Sequence, residues 1–405
     1  MNTHQKSNPV FCPSMHTFPW KPWGVVAPHF LTDSGKRLFN VKPEFEVIFE
    51  KICKEVGPCN GLAVISNNII GVTNWNSTQI SRQYNAVING AAVFEASAMF
   101  YYRLRGPQAE ALLNYLTPRD VRKLKPLKSM FVVFTNEMGT VDDEAVLLRT
   151  SDNEFLLSSG GCKPLTYLSN ALEIYSDVRI TYNDTISFNI KGPRRLEAMK
   201  ELILEEEQHR LDSLSDMSLC RTRFRSGGDV WIVRTKIGME MWGSSETIAR
   251  AWDAMLSAPE IYTPCGWDML HSYRMDCDDF QFGLYPLELN HNTSLKEAGL
   301  EWMINEKTSE YIGKSAVELN KSSPRFYTAR LIFDVGCQSV PFGTEIYTED
   351  GRFVGVITSS AHSFRLGRLS AFAHIASDCQ DKTFFLGSRS DFELKRSGMK
   401  CYLYR

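Results

Sequence analysis

One pattern occurs twice in this chain, and it constrains the fold more than any other feature. The segments YRLRGPQAEALLNYL (102–116) and FNIKGPRRLEAMKEL (188–202) each read as a short strand, a basic residue, Gly-Pro and an amphipathic helix. The pattern places Pro107 and Pro193 at the first helical position, where the missing N–H of proline costs nothing. The two Gly-Pro dipeptides stand 86 residues apart, too far for a solenoid. The sequence therefore predicts two similar α+β halves that face each other, the alternative being coincidence of a common turn.

The residues that follow each repeat extend the prediction. SMFVVFTNEMGTVDDEAVLLRTSDNEFLLSS (129–159) reads as three strands separated by turn signals. DVWIVRTKIGMEMWG (229–243) is strand-like, and SSETIARAWDAML (244–256) reads as a helix capped by Ser244 or Ser245. Each half is thus expected to combine a Gly-Pro strand, a helix and further strands.

The composition changes at about residue 325, where short strands alternate with Ser-rich and Asp-Gly turns. Asp350-Gly351 lies between alternating runs and is a strong hairpin signal. We therefore predict an all-β barrel or jelly roll over residues 325–405 and the two α+β halves over 71–324. Residues 1–70 form a separate N-terminal extension in this division, with a helix predicted over 42–57.

Composition and charge exclude several classes of function. The 405 residues carry a formal net charge of −2, and the Lys and Arg residues are scattered, so neither nucleic acid nor an anionic membrane is indicated as a partner. No apolar run reaches the roughly 18 residues of a membrane helix, and the first residues have no apolar signal-peptide core. The ten cysteines form no CxxC pair and no zinc spacing, which is typical of reduced thiols in a cytoplasmic protein.

From about residue 75 to 400 these pieces resemble the folate-dependent aminomethyltransferase family, which includes the glycine-cleavage T-protein and tetrahydrofolate-dependent demethylases. The resemblance rests on LRGPQAEALLNYL, on GTVDDEAVLLR for the family's Gly-x-hydrophobic-Asp-Asp stretch, and on IGMEMWG for its Gly-hydrophobic-Glu stretch. YIGKSAV (311–317) and GRFVGVITSSAHSFRLGRLSAFAHI (351–375) are similar to two later family segments. The resemblance implies three subdomains in a ring around a folate cavity, with tetrahydrofolate as cofactor.

The resemblance also implies roles for particular side chains. Asp143 corresponds to the aspartate that approaches the reacting folate nitrogens, where a carboxylate can orient them or stabilise a cationic adduct. Asp142 then reads as a turn or capping residue. Glu240 corresponds to the pterin-binding glutamate, and Tyr167 and Trp242 can stack on the ligand, although a core position is the alternative for both aromatics.

The chain departs from the T-protein pattern at two places that face the substrate. VFEASAMFYYRL (93–104) has Glu95 in place of the family's Asp, and Ala98 stands where a His is expected. The family's Gly-Ala-Arg-Asp-x-Leu-Arg segment becomes residues 266–283, which offer His271, Tyr273 and Arg274. His271 or Tyr273 can protonate a leaving atom as general acid, and Arg274 and Glu95 are predicted to bind the substrate.

The sequence therefore predicts a monomeric or homodimeric tetrahydrofolate-dependent methyl or one-carbon transferase. It would move a methyl group from a small O-, S- or N-methyl substrate to N5 of tetrahydrofolate, chiefly by holding the two in line. Three alternatives stay open: an aminomethyltransferase of the glycine-cleavage type, a family member that has lost folate, and a non-catalytic folate-binding protein. The last is disfavoured because KTSEYIGKSAVE (307–318) lacks the cysteine of that group's signature.

Overall fold

The computed structural model describes residues 62–404 except 67–68, 73–79, 97–98, 160–163, 183–184, 278–286, 290–291, 305–306, 308 and 391–392. The N-terminal extension up to residue 61, with the helix predicted over 42–57, lies outside the described residues. Within the described part of the chain, no helix has the length and apolar character needed to cross a membrane.

The elements follow one another from residue 62 onward. The strands are β1 (Leu62–Ser66), β2 (Ile69–Val72), β3 (Ala92–Glu95), β4 (Phe100–Arg105), β5 (Lys128–Thr135), β6 (Val141–Ser151), β7 (Glu154–Ser159), β8 (Arg179–Tyr182), β9 (Ile186–Lys191), β10 (Ser218–Arg223), β11 (Asp229–Arg234), β12 (Met239–Gly243), β13 (Thr263–Cys265), β14 (Phe326–Phe333), β15 (Glu345–Tyr347), β16 (Phe353–Ser363), β17 (Arg368–Ala376), β18 (Thr383–Ser390) and β19 (Glu393–Tyr404). The α-helices are α1 (Ile80–Asn89), α2 (Ala109–Leu116), α3 (Pro164–Ala171), α4 (Arg195–Leu202), α5 (His209–Asp212), α6 (Ser245–Leu256), α7 (Trp267–Asp276) and α8 (Lys314–Asn320).

The two repeats form one continuous sheet with internal symmetry. Its strands run in the order β13-β3-β9-β12-β11-β10-β5-β6-β7-β4-β8. In each repeat a three-strand meander (β5-β6-β7 or β10-β11-β12) returns antiparallel to the Gly-Pro strand, β4 or β9. The first strands of the two meanders, β5 and β10, meet antiparallel at the centre. The ten strands from β3 to β8 in this order are therefore related by a pseudo-twofold axis, and the prediction of two similar halves is confirmed.

The halves exchange one strand each. β3 precedes the first Gly-Pro strand in the chain but pairs antiparallel with β9 of the second half. β8 precedes the second Gly-Pro strand but pairs antiparallel with β4 of the first half. Each half therefore completes its sheet with a strand from the linker that leads into the other half.

The Gly-Pro turns differ in one detail from the sequence prediction. α2 begins at Ala109, so Pro107 lies two residues before the helix, and Pro193 has the same place before α4. The amide of Ala109 donates to the carbonyl oxygen of Gly106 at 3.1 Å, and the equivalent contact closes the second turn at 3.2 Å. Proline thus occupies the second position of a β-turn, where its fixed φ is also favourable, rather than the first helical position.

The two halves of this sheet face each other, and helices cover the outer face of each half. The order across the interface is therefore helix layer, half-sheet, half-sheet, helix layer. α2 and α3 cover one face of the first half, with Leu112, Leu116 and Leu168 buried there, and α4 and α6 cover the second half in the same way. The remaining sheet faces contact each other through a cluster made by both halves: Tyr101, Leu148, Leu156, Leu219, Val233 and Trp242. Each large apolar side chain removed from water here stabilises the interface by roughly 1.5–3 kcal/mol.

The C-terminal strands form a closed barrel in the order β14-β17-β16-β15-β18-β19, with β19 pairing back onto β14. The Asp350-Gly351 hairpin joins β15 and β16, and Gly351 has a φ of 89°, which glycine adopts readily. The α+β halves with a C-terminal barrel are as predicted. The division of the chain at residues 70 and 324 stays a prediction.

Candidate functional site

A hydrogen bond between the hydroxyls of Tyr101 and Ser187 lies in the interface between the two half-sheets. The two oxygens are 2.5 Å apart, and Tyr101 also packs edge-on against Trp242 with the ring centroids 5.1 Å apart. Burial first, and then the charges of Glu240 and Glu95, raise the pKa of the Tyr101 phenol. The charges of both carboxylates thus act on the phenol in this interface.

Glu240, on β12, is held in place by its two neighbours on the same sheet face. Its Oε1 accepts from the Asn189 amide at 3.2 Å, and its Oε2 accepts from the indole Nε1 of Trp242 at 3.0 Å. Burial raises the pKa of the Glu240 carboxyl above its ordinary value. Trp242 is itself buried, so it supports the carboxylate as part of the interface core.

Lys191 stands beside this carboxylate and was not anticipated as a site residue. It is buried, with its ammonium 6.0 Å from the ring of Phe94. Burial lowers its pKa to about 8, while the attraction of Glu240 acts in the opposite direction. The available signal was the basic residue that precedes the second Gly-Pro, which places a buried cation near the half-buried Glu240.

The surroundings of residue 238 explain why a glycine stands two residues before Glu240. A Cβ at this position would lie 2.3 Å from the side-chain oxygen of Asn189. That oxygen is buried and has no hydrogen-bond partner in the structure, whereas the amide nitrogen is engaged with Glu240. Glycine at 238 therefore leaves room for the amide that orients Glu240, and one acceptor there can serve a ligand.

The paired aspartates lie on β6, and both are buried. Asp143 accepts from the hydroxyl of Ser159 and from the amide of Glu144, each at 2.7 Å. Asp142 was expected in a turn, but it lies within the strand and accepts a hydrogen bond from the hydroxyl of Tyr167. That expectation was wrong because β6 already begins at Val141.

Two other predicted residues, Tyr167 and Glu95, belong to different halves of the structure. Tyr167, on α3, is half-buried and stacks nearly parallel on Phe134, with the ring centroids 6.3 Å apart. Its hydroxyl connects α3 to Asp142. Glu95 lies at the end of β3, opposite Phe188 on β9, and only 3% of it is exposed.

The predicted substrate-facing residues lie on α7, where the helix meets the barrel. Arg274 is fully buried and donates from Nη2 to Glu288 Oε2 at 2.8 Å. Thr358 and Ser359 of the barrel donate to the other oxygen of Glu288, at 3.0 and 2.5 Å. The guanidinium is thereby committed to joining α7 to the barrel, which disfavours the predicted contact with a substrate carboxylate.

His271 is 5% exposed, and its Nδ1 lies 3.2 Å from Nη1 of Arg274. Burial and the positive charge of Arg274 lower its pKa to about 3. The imidazole is therefore neutral at pH 7, and this disfavours the predicted general acid at this position. Tyr273 is half-buried in an apolar cluster with Phe94 and Met269.

Sequence reasoning missed Glu288, the acid that holds Arg274. It stands 14 residues after the arginine, and two further hydrogen bonds to its carboxylate come from β16. Among the residues that the structure describes, no group of three or more His, Cys, Asp or Glu side chains is arranged to hold a metal ion.

A duplicated α+β sheet followed by a closed six-stranded barrel, with a half-buried glutamate at the interface of its halves, defines the class of one-carbon transfer proteins related to aminomethyltransferases. The chain belongs to the GCVT N-terminal domain family, whose model matches residues 61–308. The predicted family is thereby confirmed.

The relatives of this chain include a demethylase subunit as well as aminomethyltransferases. The gamma subunit of a heme-dependent oxidative N-demethylase from Ectopseudomonas mendocina is 25% identical over 318 residues, which span 75% of this chain and 82% of that protein. An aminomethyltransferase from Chlorobium luteolum is 24% identical over 298 residues, 70% of this chain and 79% of that protein. The crystal structure of the glycine cleavage system aminomethyltransferase T from Bartonella henselae matches with a TM-score of 0.76 at 16% identity, covering 91% of this chain and 97% of that one, which establishes the fold.

Proposed function

We propose that this protein is a tetrahydrofolate-dependent one-carbon transferase that moves a methyl group from a small O-, S- or N-methyl substrate to N5 of tetrahydrofolate. The observation that carries the proposal is the partly buried carboxylate of Glu240, which Asn189 and Trp242 hold from two sides. Such a carboxylate is suited to pair with the N–H groups of an aminopyrimidine edge.

The side chains around Glu240 fit this ligand chemically. Each carboxylate oxygen has more than one acceptor site, and the hydrogen bonds from Asn189 and Trp242 leave capacity on both. The buried oxygen of Asn189 is a further acceptor with no partner. These acceptors complement a ligand edge that presents donors only.

Tetrahydrofolate, when bound, supplies N5 as the nucleophile that takes up the one-carbon unit. Glu240 would orient the pterin ring, and Tyr101 and Trp242 exclude water from the interface beside it. Asp143 would place a buried negative charge near the reacting nitrogens, where it stabilises developing positive charge. The leaving atom requires a proton, and because His271 is neutral at pH 7, Tyr273 is the predicted donor.

An aminomethyltransferase activity is the second candidate, because several relatives of that name are about as similar as the demethylase subunit. Glu95 and the altered segment after Cys265 favour a different substrate from that of the glycine-cleavage enzymes. We therefore propose demethylation, and not aminomethyl transfer, as the first candidate activity.

Calorimetric titration with tetrahydrofolate tests the proposal on the wild-type protein and on Glu240→Ala. Loss of a carboxylate that pairs with the pterin edge should weaken binding by about 2 kcal/mol, roughly 30-fold. Glu246→Ala is the matched control, since it removes the same charge from an exposed position on α6 and should leave the affinity unchanged. Absence of tetrahydrofolate binding by the wild type would contradict the folate proposal.

If binding is established, a screen of methoxy, methylthio and N-methyl compounds with tetrahydrofolate follows. The readout is formation of the methylated folate. Turnover with a methylated small molecule supports demethylation, whereas turnover only with an aminomethyl donor would favour the second candidate.

A further inference from the structure

A cavity of about 440 Å³ opens on the interface between the two half-sheets. We refer to it as the arginine cavity. Its lining includes Arg103 and Arg105 of β4, Arg221 of β10, Trp231 of β11, and Trp242 and Ser244 around the end of β12. It is thus formed by both halves, as is the region around Glu240.

The internal repeat relates this cavity to the Glu240 region. The offset of 86 residues that joins Tyr101 to Ser187 also equates Arg103 with Asn189 and Arg105 with Lys191. On the second half Asn189 stands opposite Glu240, whereas on the first half Arg103 stands opposite Leu156. The arginine cavity is therefore the pseudo-twofold counterpart of the Glu240 region, with its acid replaced by an apolar residue and its amide by a cation.

The charges of the cavity favour an anion. Glu154 lies 2.9 Å from Arg105 and 3.7 Å from Arg103, and Asp229 lies 2.6 Å from Arg221. Three guanidinium groups thus face two carboxylates, which leaves one positive charge in excess. The Nε of Arg103 is buried, lies 3.7 Å from Glu154 and makes no hydrogen bond, so Glu154 pairs more closely with Arg105 than with Arg103.

Two further features of the cavity also favour a bound anion with a flat group. Ser244 caps the N-terminus of α6, a helix of 12 residues, and helix N-termini favour negative charge. Trp231 is half-buried and offers an aromatic surface beside the arginines. An arginine cluster next to an indole suits a ligand that combines an oxyanion with a flat group.

We propose that the arginine cavity is a second ligand site, which binds a small molecule through a carboxylate or phosphate and packs its flat part on Trp231. Glu240 does not line this site, but Trp242 connects the two. Trp242 lines the cavity and its indole N–H donates to Glu240 at 3.0 Å. Occupation of the cavity is thereby expected to change tetrahydrofolate affinity, although binding at the cavity does not depend on the proposed function.

Calorimetry with two probes tests the site on the full-length protein without folate. Inorganic pyrophosphate represents phosphates, and benzene-1,3,5-tricarboxylate represents flat carboxylates. The wild type is expected to bind one of them with a Kd below about 1 mM, and the better probe identifies the class of oxyanion. Arg103→Gln should weaken that binding at least about tenfold, since it removes a charge-assisted donor.

Arg194→Gln is the control, because Arg194 is also an arginine paired with a glutamate, but it lies at the N-cap of α4 outside the cavity. It should leave probe binding unchanged. Trp231→Phe should weaken only the tricarboxylate if the flat group packs on the indole. Failure of the wild type to bind either probe, or an equal loss in Arg194→Gln, would overturn the proposal, the second outcome indicating attraction to net charge alone.

Discussion

Tyr101 and Ser187 stand 86 residues apart and share a hydrogen bond between their hydroxyls. The same separation relates the two Gly-Pro dipeptides, so the pair joins equivalent positions of the two repeats. Two residues related by a twofold axis contact each other only when both lie next to the axis. The contact therefore locates the pseudo-twofold axis of the interface.

Tyr101→Phe removes one hydroxyl from this contact and should lower the free energy of unfolding by about 1–2 kcal/mol, because the partner is left buried. Urea unfolding of Tyr101→Phe, Ser187→Ala and the double variant measures the coupling. The double variant should lose less than the sum of the two single losses. Simple additivity would show that the hydroxyls do not interact in solution.

Gly106→Ala should destabilise the protein well beyond the usual cost of a left-handed residue. The added Cβ would lie 2.3 Å from the carbonyl oxygen of Asp177, and the backbone there cannot retreat cheaply. Gly367→Ala is the control, since Gly367 also has positive φ but no atom lies within 4 Å of the place that a Cβ would take. We expect about 1 kcal/mol for the control and at least twice that for Gly106→Ala in thermal unfolding. Equal losses would remove the close approach as a cause.

Gly238→Ala should weaken tetrahydrofolate binding, because the new methyl group displaces the Asn189 amide that holds Glu240. Asn189→Ala removes the obstacle, so adding Gly238→Ala to that variant should have little further effect. Calorimetry on the two single variants and the double variant tests whether Gly238→Ala acts through the side chain of Asn189. A full additional loss in the double variant would show that Gly238 acts by another route.

Arg274→Met should destabilise the protein by about 3–5 kcal/mol, since it leaves the charge of Glu288 buried without its cation. Replacing both partners, as Arg274→Met with Glu288→Leu, should recover much of that loss. Thermal unfolding of both variants provides the measurement. If the double variant is as unstable as the single one, the hydroxyls of Thr358 and Ser359 matter more than the ion pair.

Stability should fall as the pH is lowered below about 6.5. Burial lowers the pKa of His271 from 6.5 to about 3 and that of His374 to about 4. Between these values and 6.5 the unfolded chain binds protons that the folded chain does not, so the free energy of unfolding rises with pH in this window. The raised pKa of Glu240 and that of Asp268, which burial raises to about 6, act in the opposite direction in part of this window, so the fall is the balance left by the two histidines.

Urea unfolding from pH 7 down to about pH 4 measures this dependence. His374→Asn removes one titrating group and should make the dependence shallower, whatever it does to stability at pH 7. An unchanged slope in this variant would mean that His374 titrates alike in the folded and unfolded chains.

Local sequence signals predicted the elements well. Gly-Pro followed by apolar residues at helical spacing gave α2 and α4, Ser244 was identified as a possible cap of α6, and Asp350-Gly351 gave the barrel hairpin. Each of these signals depends on neighbours within a few residues. That is why they could be read without knowing the partners in space.

Contacts between distant segments could not be predicted in this way. β3 is a short and mostly apolar run that is compatible with any neighbouring strand, so the exchange between halves left no local trace. Asp142 stands beside turn residues, and only the hydroxyl of Tyr167, 25 residues later, reveals its place in a buried strand. The pairing of Arg274 with Glu288 likewise depends on the barrel.

The exchange of β3 and β8 has a consequence for how the chain is made. The second half borrows a strand synthesised before the first half and completes its edge only with Thr263–Cys265. A nascent chain that has emerged as far as the first repeat therefore holds a strand it cannot yet use. If the chain were cut between the repeats, each fragment would carry the other's missing edge, and the two should reassemble as complementary pieces instead of folding as independent modules.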